Sequence, residues 1–150
     1  MPHTFTHLLA HIIFSTKDRA PLMGPEVKPR LLEYMGGIIR ELGGKTLGIN
    51  GASDHVHLLV WLPATVSVSE AMRVLKTNSS RWVHEAGISR RPFAWQAGYA
   101  AFSVSQSAAP EVQKYIAHQE EHHRKVSFQE ELLSYLRKHG IEYDERYLWD

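Results

Sequence analysis

An α+β fold of the ferredoxin-like, split βαβ kind is predicted by three features of the chain. Segments of strand character and segments of helical periodicity alternate in the order strand, helix, strand, strand, helix, strand. The second and third strands are separated only by Gly51, Ala52, Ser53 and Asp54, too few residues for a crossover, so they form a hairpin in an antiparallel sheet. A third helical segment follows the last strand, and because two helices cover only one face of the sheet, this one is expected over the other face.

The first strand is read over Thr4 to Ser15, TFTHLLAHIIFS, where Phe5, Leu9 and Ile13 share one parity and Leu8, Ile12 and Phe14 the other. Apolar residues on both parities suit a strand buried on both faces. Leu31, Met35, Ile38, Ile39 and Leu42 then recur at helical spacing until Gly43 and Gly44 stop the run. Lys45 to Asn50 and His55 to Leu62 are the hairpin strands, and Pro63 ends the second. Ser67 with Glu70 makes a capping box, and Val68, Ala71, Met72, Leu75, Ser79, Trp82 and Val83 share one face of the helix it opens. Gly87 closes that helix. Tyr99 to Ser105 is the fourth strand, and Ala109-Pro110 opens a helix expected to run to about Lys125, with proline in the first turn, where no hydrogen bond is lost. Ser127 and Glu130 cap a final short helix that ends at Gly140. The tail IEYDERYLWD is not placed by its pattern.

A chain of 150 residues with 43% hydrophobic residues is expected to form one domain, residues 1–150. With no cysteine it has no disulfide framework and no thiolate metal site. There is no charged and apolar leader pattern at Met1 and no apolar run of membrane-spanning length, so a cytoplasmic protein without a membrane partner is expected. The formal charge of +1 does not announce a nucleic-acid binder. Ten histidines point instead to metal or phosphate chemistry.

The stretch DHVHLLV places two of them on a strand. Residues two apart point the same way, so His55 and His57 share one face while Val56, Leu58 and Val60 take the other, beneath the two helices. Two imidazoles at this spacing can grip one divalent ion, although an arbitrary pair is more often structural. The helix expected over that face carries Tyr115 and Gln119 four residues apart, beside the apolar stripe of Val112, Ile116 and Val126. A phenol and an amide would thus arrive beside the imidazoles. His118 and His122, also four apart, are a rival metal pair, and with His123, Arg124 and Lys125 they equally suit a helix C-terminus. On the second helix Arg73, Lys76, Thr77, Ser80, Arg81 and His84 lie off the apolar stripe, a solvated face that also suits contacts to a nucleic-acid backbone. Phe93, Trp95 and Tyr99 are either stacking surfaces for unpaired bases or core.

The segments DHVHLLVWLP, KTNSSRW, FAWQAGYAAFSVSQS, YIAHQEEHH and EELLSYLRKHGIEYDERYLW resemble, in this order and over nearly the whole chain, the single-tyrosine HUH transposases of the insertion-sequence 200/605 type, relatives of the REP-associated tyrosine transposases. The resemblance implies that His55, His57 and Gln119 hold a divalent ion, Mg²⁺ or Mn²⁺, and that Tyr115 is the nucleophile of a DNA endonuclease and strand transferase. It further implies a 5′-phosphotyrosine intermediate, single-stranded DNA with a hairpin as substrate, and a homodimer whose active sites can be completed in trans. Arg73, Lys76, Ser80 and Arg81 are the expected DNA contacts. Two rivals stand beside this reading: a non-catalytic module for single-stranded nucleic acid, and a metal-dependent hydrolase that activates water, with Tyr115 orienting the phosphate.

Overall fold

The computed structural model describes residues 3–89, 91–123 and 125–149. Four antiparallel strands, β1 (Leu9–Ser15), β2 (Lys45–Gly51), β3 (His55–Trp61) and β4 (Ala100–Val104), lie in the order β2-β3-β1-β4. Helices α1 (Lys28–Glu41) and α2 (Val68–Ala86) occupy the two βαβ connections, as the strand and helix order predicts. After β4 come α3 (Ala109–Ala117), α4 (Gln119–His122), α5 (Phe128–Lys138) and α6 (Glu145–Leu148).

Alternation along the strands divides the interior in two. Ile12 and Phe14 of β1 and Val56, Leu58 and Val60 of β3 are fully buried on one face against Leu31, Met35 and Ile39 of α1 and Met72 and Leu75 of α2. Each such aliphatic side chain contributes about 1.5–3 kcal/mol by leaving water, so this layer fixes the register of β3 and with it the face on which His55 and His57 stand. The opposite face carries Leu9, His11 and Ile13 of β1 with His55, His57 and Leu59 of β3. There α3 packs Ala109 and Ile116 on Leu9 and Leu59, and α5 packs Phe128, Leu132 and Leu136 on Ile13 and Phe102. The tail docks beside α5 through Tyr143, Leu148 and Trp149, with the Arg19 guanidinium 5.5 Å from the centre of the Trp149 ring.

Capping explains the limits of α2. Ser67 accepts a hydrogen bond from the Glu70 amide at 3.1 Å, and Gly87 closes the helix at φ +63°, where a side chain would be strained. The Ser127 hydroxyl does the same for Glu130 at the start of α5.

Most strand ends fall within one residue of the sequence reading, and two boundaries differ by more. The first strand begins at Leu9 rather than Thr4, because its partners end there: Leu9 pairs with Trp61 on one side and with Val104 on the other. Phe5 and Leu8 are accordingly exposed, not core. The helix expected to run unbroken to about Lys125 is interrupted at His118, whose backbone leaves helical geometry at φ −105°, ψ 25° while its own imidazole Nδ1 bonds the Lys114 carbonyl at 2.7 Å. The interruption separates Tyr115 on α3 from Gln119 on α4.

Candidate active site

The site begins with how the two strand histidines are held. His55 is fully buried and its Nδ1 lies 2.7 Å from Asp54 Oδ1, so the ring donates to the carboxylate and turns an Nε2 lone pair inward. Burial raises the Asp54 carboxyl, but the hydrogen bond and charge of His55 outweigh it and the net shift is downward. His57, equally buried, has Nδ1 2.8 Å from His11 Nε2 and Nε2 2.7 Å from Glu131 Oε1. Burial lowers the His57 pKa to about 4, with Glu131 opposing and His55 and His123 assisting; burial and His57 lower His11 to about 3. Both rings are therefore neutral at pH 7, the form that binds metal.

Helix α3 is tied across the edge strand β2 by two side chains. The Gln113 amide donates to the Leu47 carbonyl at 2.8 Å and the Asn50 amide donates to the Ala117 carbonyl at 3.2 Å, while Ile116 lies over Gly48. That seat turns Tyr115 toward the histidines, its ring centre 5.8 Å from that of His57. Gln119 is fully buried; its amide nitrogen donates to the Tyr115 carbonyl at 3.4 Å, and its Oε1 has no hydrogen-bond partner.

Glu131 of α5 stands at the centre. Its Oε1 lies 2.7 Å from His57 Nε2, 3.2 Å from His123 Nε2 and 3.8 Å from His55 Nε2. Its Oε2 accepts from the Tyr115 hydroxyl and lies 3.1 Å from His122 Nε2. Burial raises the carboxyl, yet the hydrogen bonds from His123, His57 and Tyr115 hold it well below the ordinary range. Burial, together with the hydrogen bond and charge of Glu131, pushes the Tyr115 phenol well above 10. Tyr135, one turn beyond Glu131 on α5, is raised to about 12 by burial and by the charge of Glu131.

The donor set fits a divalent cation. One ligand atom from each of His55, His57, His123 and Glu131 lies within 4.8 Å of the others. His55 Nε2 and Gln119 Oε1 are buried without a hydrogen-bond partner, and leaving such atoms unpaired costs about 1–3 kcal/mol each unless a ligand satisfies them. The structure thus brings His55, His57 and Tyr115 together and buries Gln119 at the start of α4.

The rival pair does not form. His118 is exposed and bonded to its own helix, whereas His122 Nε2 lies 3.1 Å from the Tyr115 hydroxyl. Arg124 lies outside the described residues. A cleft of about 730 Å³ bounded by Lys28, Asp54, His123 and Phe128 leads to the cluster, and a second, of about 430 Å³, has Lys114, Tyr115, His118 and Lys125 in its wall.

The basic face of α2 lies on the far side of the sheet from the histidines. Arg81 is exposed and Ser80 half-buried; Arg73 pairs with Glu70 at 2.6 Å. Lys76 donates to the carbonyls of Gln96 at 2.6 Å and Gly98 at 2.8 Å, bracing the loop that borders a cleft of about 500 Å³ with Arg73, Ser80 and Tyr99. Of the three aromatics, Phe93 and Trp95 are core, the Trp95 indole donating to the Ser79 hydroxyl at 2.9 Å, and only Tyr99 is exposed.

Glu131, Asp54 and His11 escaped the sequence reading, and His123 was read only as a helix-end charge. A signal for Glu131 was present: with Phe128, Leu132 and Leu136 it occupies positions i, i+3, i+4 and i+8, a carboxylate on an apolar stripe. His11 likewise interrupts a buried strand.

Comparison with known proteins bears on this geometry. Residues 4–119 match the family model for IS200-like transposases. The transposase for insertion sequence element IS200 of Salmonella typhimurium is 30% identical over 129 residues, 79% of this chain and 81% of that one. The ISDra2 transposase TnpA of Deinococcus radiodurans is 25% identical over 114 residues, 73% of this chain and 81% of its own. Among solved structures, a REP-associated tyrosine transposase bound to a REP hairpin superposes with a TM-score of 0.60 at 14% identity, covering 83% of this chain and 74% of that one, a likeness of fold.

Proposed function

Because the chain belongs to the IS200-like transposase family, we propose that it cuts and rejoins single-stranded DNA at hairpin-bearing ends through a tyrosine nucleophile, Tyr115. The observation that carries this reading is the convergence of the Tyr115 hydroxyl and two buried imidazoles, His55 and His57, on one carboxylate, Glu131. A half-buried phenol packed for stability alone would not need four imidazole nitrogens within 4 Å of the carboxylate that accepts its hydrogen bond.

His55, His57 and Gln119 would hold a divalent ion, Mg²⁺ or Mn²⁺. Two of their atoms, His55 Nε2 and Gln119 Oε1, are buried with no partner, which supports that role. When bound, the ion supplies charge to offset that developing on the phosphate oxygens. Asp54 orients His55, and His11 orients His57, each through Nδ1, so that Nε2 faces the substrate side. For the His57 Nε2 lone pair to be available, its proton must reside on Nδ1 and be donated to His11 Nε2.

The chemistry is an exchange of phosphate diesters. The Tyr115 oxygen forms a bond to phosphorus as the bond from phosphorus to the 3′-oxygen breaks, leaving a 5′-phosphotyrosine and a free 3′-hydroxyl. The phenol proton passes first to its hydrogen-bond acceptor, Glu131 Oε2, and then to the departing 3′-oxygen. A second 3′-hydroxyl then attacks the phosphotyrosine, restoring a diester and releasing the phenol, with no nucleotide cofactor consumed.

The exposed Arg81, with Ser80, Arg73 and the bracing Lys76, would contact the DNA backbone on the α2 face. A homodimer is part of the proposal, as is exchange of the Tyr115 helix between protomers; the solution mass of the DNA complex tests it.

The test is a labelled single strand carrying a hairpin, incubated with Mn²⁺ and resolved on a denaturing gel. The native protein is expected to form a covalent adduct and Tyr115→Phe none. Cleavage without an adduct favours the hydrolase, and binding alone the non-catalytic module. His57→Ala should abolish cleavage while leaving hairpin binding intact, and Gln119→Ala should raise the metal concentration required.

A further inference from the structure

The carboxylate at the centre of the site comes from α5, beyond residues 4–119 that match the family model. We propose that Glu131 is itself a ligand of the metal centre, so that α5 contributes an anionic donor to the ion held by His55 and His57, with His123 as a further nitrogen donor. The inference rests on the metal reading of the two strand histidines given above.

Three observations carry it. Glu131 is 3% exposed, and a buried anion is costly unless paired or bound to a metal. Among the described residues its recorded partners are imidazoles and a phenol, not a lysine or an arginine. One ligand atom from each of Glu131, His55, His57 and His123 lies within 4.8 Å of the others, a spacing that one cation at about 2.0–2.2 Å from each donor spans after small movements. The arrangement is also incomplete without such a cation. His55, its Nδ1 already engaged by Asp54, aims a partnerless Nε2 at a carboxylate oxygen 3.8 Å away, too far for a hydrogen bond. Phe128, one turn before Glu131, stacks on the His55 ring at 4.7 Å and 24°, so α5 is seated on the histidine it would join.

The donor chemistry makes the proposal specific. Three imidazoles and one carboxylate favour Mn²⁺, Co²⁺ or Zn²⁺ over Mg²⁺, which prefers oxygen and retains several waters. The two oxygens would divide their work, Oε1 toward the ion and Oε2 toward the Tyr115 hydroxyl.

The test uses the full chain stripped of metal, titrated with Mn²⁺ by calorimetry and with Co²⁺ by visible absorption. Glu131→Gln is expected to weaken Mn²⁺ binding at least about 10-fold, the low end of what even outer partners of metal ligands contribute, and to change the ligand-field spectrum of the Co²⁺-saturated protein. The native chain should bind Mn²⁺ more tightly than Mg²⁺. His57→Ala is the control for the underlying reading and should lose binding. If Glu131→Gln binds Mn²⁺ within about 3-fold of the native chain while His57→Ala does not, Glu131 is no ligand and the histidine centre stands. Weakened binding with an unchanged Co²⁺ spectrum also overturns the proposal, since it shows a remote charge. Undiminished binding by both variants overturns it together with the metal reading. Should the glutamine variant fail to fold, Glu131→Asp is read by the same two measurements.

Discussion

Acid should destabilise the metal-free protein well before its ordinary carboxylates titrate, and the effect can be sized from His57. The folded state holds this imidazole neutral, with its pKa lowered by burial to about 4, whereas an unfolded chain would titrate it near 6.5. Between those values the unfolded state binds the extra proton, so stability falls as pH falls. At pH 4.5 the unfolded histidine is almost wholly protonated and the folded one mostly neutral. At 1.36 kcal/mol per pKa unit the difference from pH 7.5 is roughly 2–3 kcal/mol. His11, held at about 3 by burial and by His57, acts in the same direction. Glu131 also acts in that direction, but its window opens only below the unfolded carboxylate pKa of about 4.5. Against a total stability of about 5–15 kcal/mol this loss is large. The assay is urea unfolding in a chelator at pH 7.5, 6.5, 5.5 and 4.5. With an m-value of about 2 kcal/mol/M the midpoint should drop by about 1 M or more, and His57→Gln should flatten the slope between pH 6.5 and 4.5. A midpoint constant within about 0.3 M over this range would refute the claim that these imidazoles are buried and neutral.

Two other substitutions probe the frame of the site. Gly51→Ala would set a Cβ 2.1 Å from the His55 carbonyl oxygen and 3.0 Å from the Val56 Cα, so the hairpin must shift; a cost of about 2 kcal/mol or more is expected in urea unfolding, with weaker Mn²⁺ binding because His55 moves. Lys76→Met retains the apolar stem but removes the donors to the Gln96 and Gly98 carbonyls. Because the site is half-exposed, a loss of about 1–2 kcal/mol is expected; a change in the salt dependence of DNA binding by about one ion would identify a phosphate contact in addition.

Much of the architecture was legible because it is local. Apolar alternation on the strands, the Ser67 and Ser127 caps and the stop at Gly87 are decided within a few residues, and each is found where its pattern predicts. The face of β3 that carries His55 and His57 follows from the same alternation, since Val56, Leu58 and Val60 must be buried together. Strand ends were less legible: β1 starts at Leu9 because Trp61 and Val104 are its last available partners, and partner length is invisible to a window on one strand. The break at His118 was hidden for a related reason. Helical spacing in YIAHQEEHH continues through it, and the bond from the His118 ring to the Lys114 carbonyl competes with the backbone ladder without disturbing the pattern.

By itself the sequence determined the order of the elements, the shared face of His55 and His57, and the placement of Tyr115 on a helix destined for that face. Only the tertiary structure decided what meets them there. Glu131 is 74 positions from His57, and His11 is 46 positions away, on a neighbouring strand. Periodicity reports which side of its own element a residue faces, whereas the carboxylate and imidazole that complete this site are brought in by the packing of separate elements on one sheet.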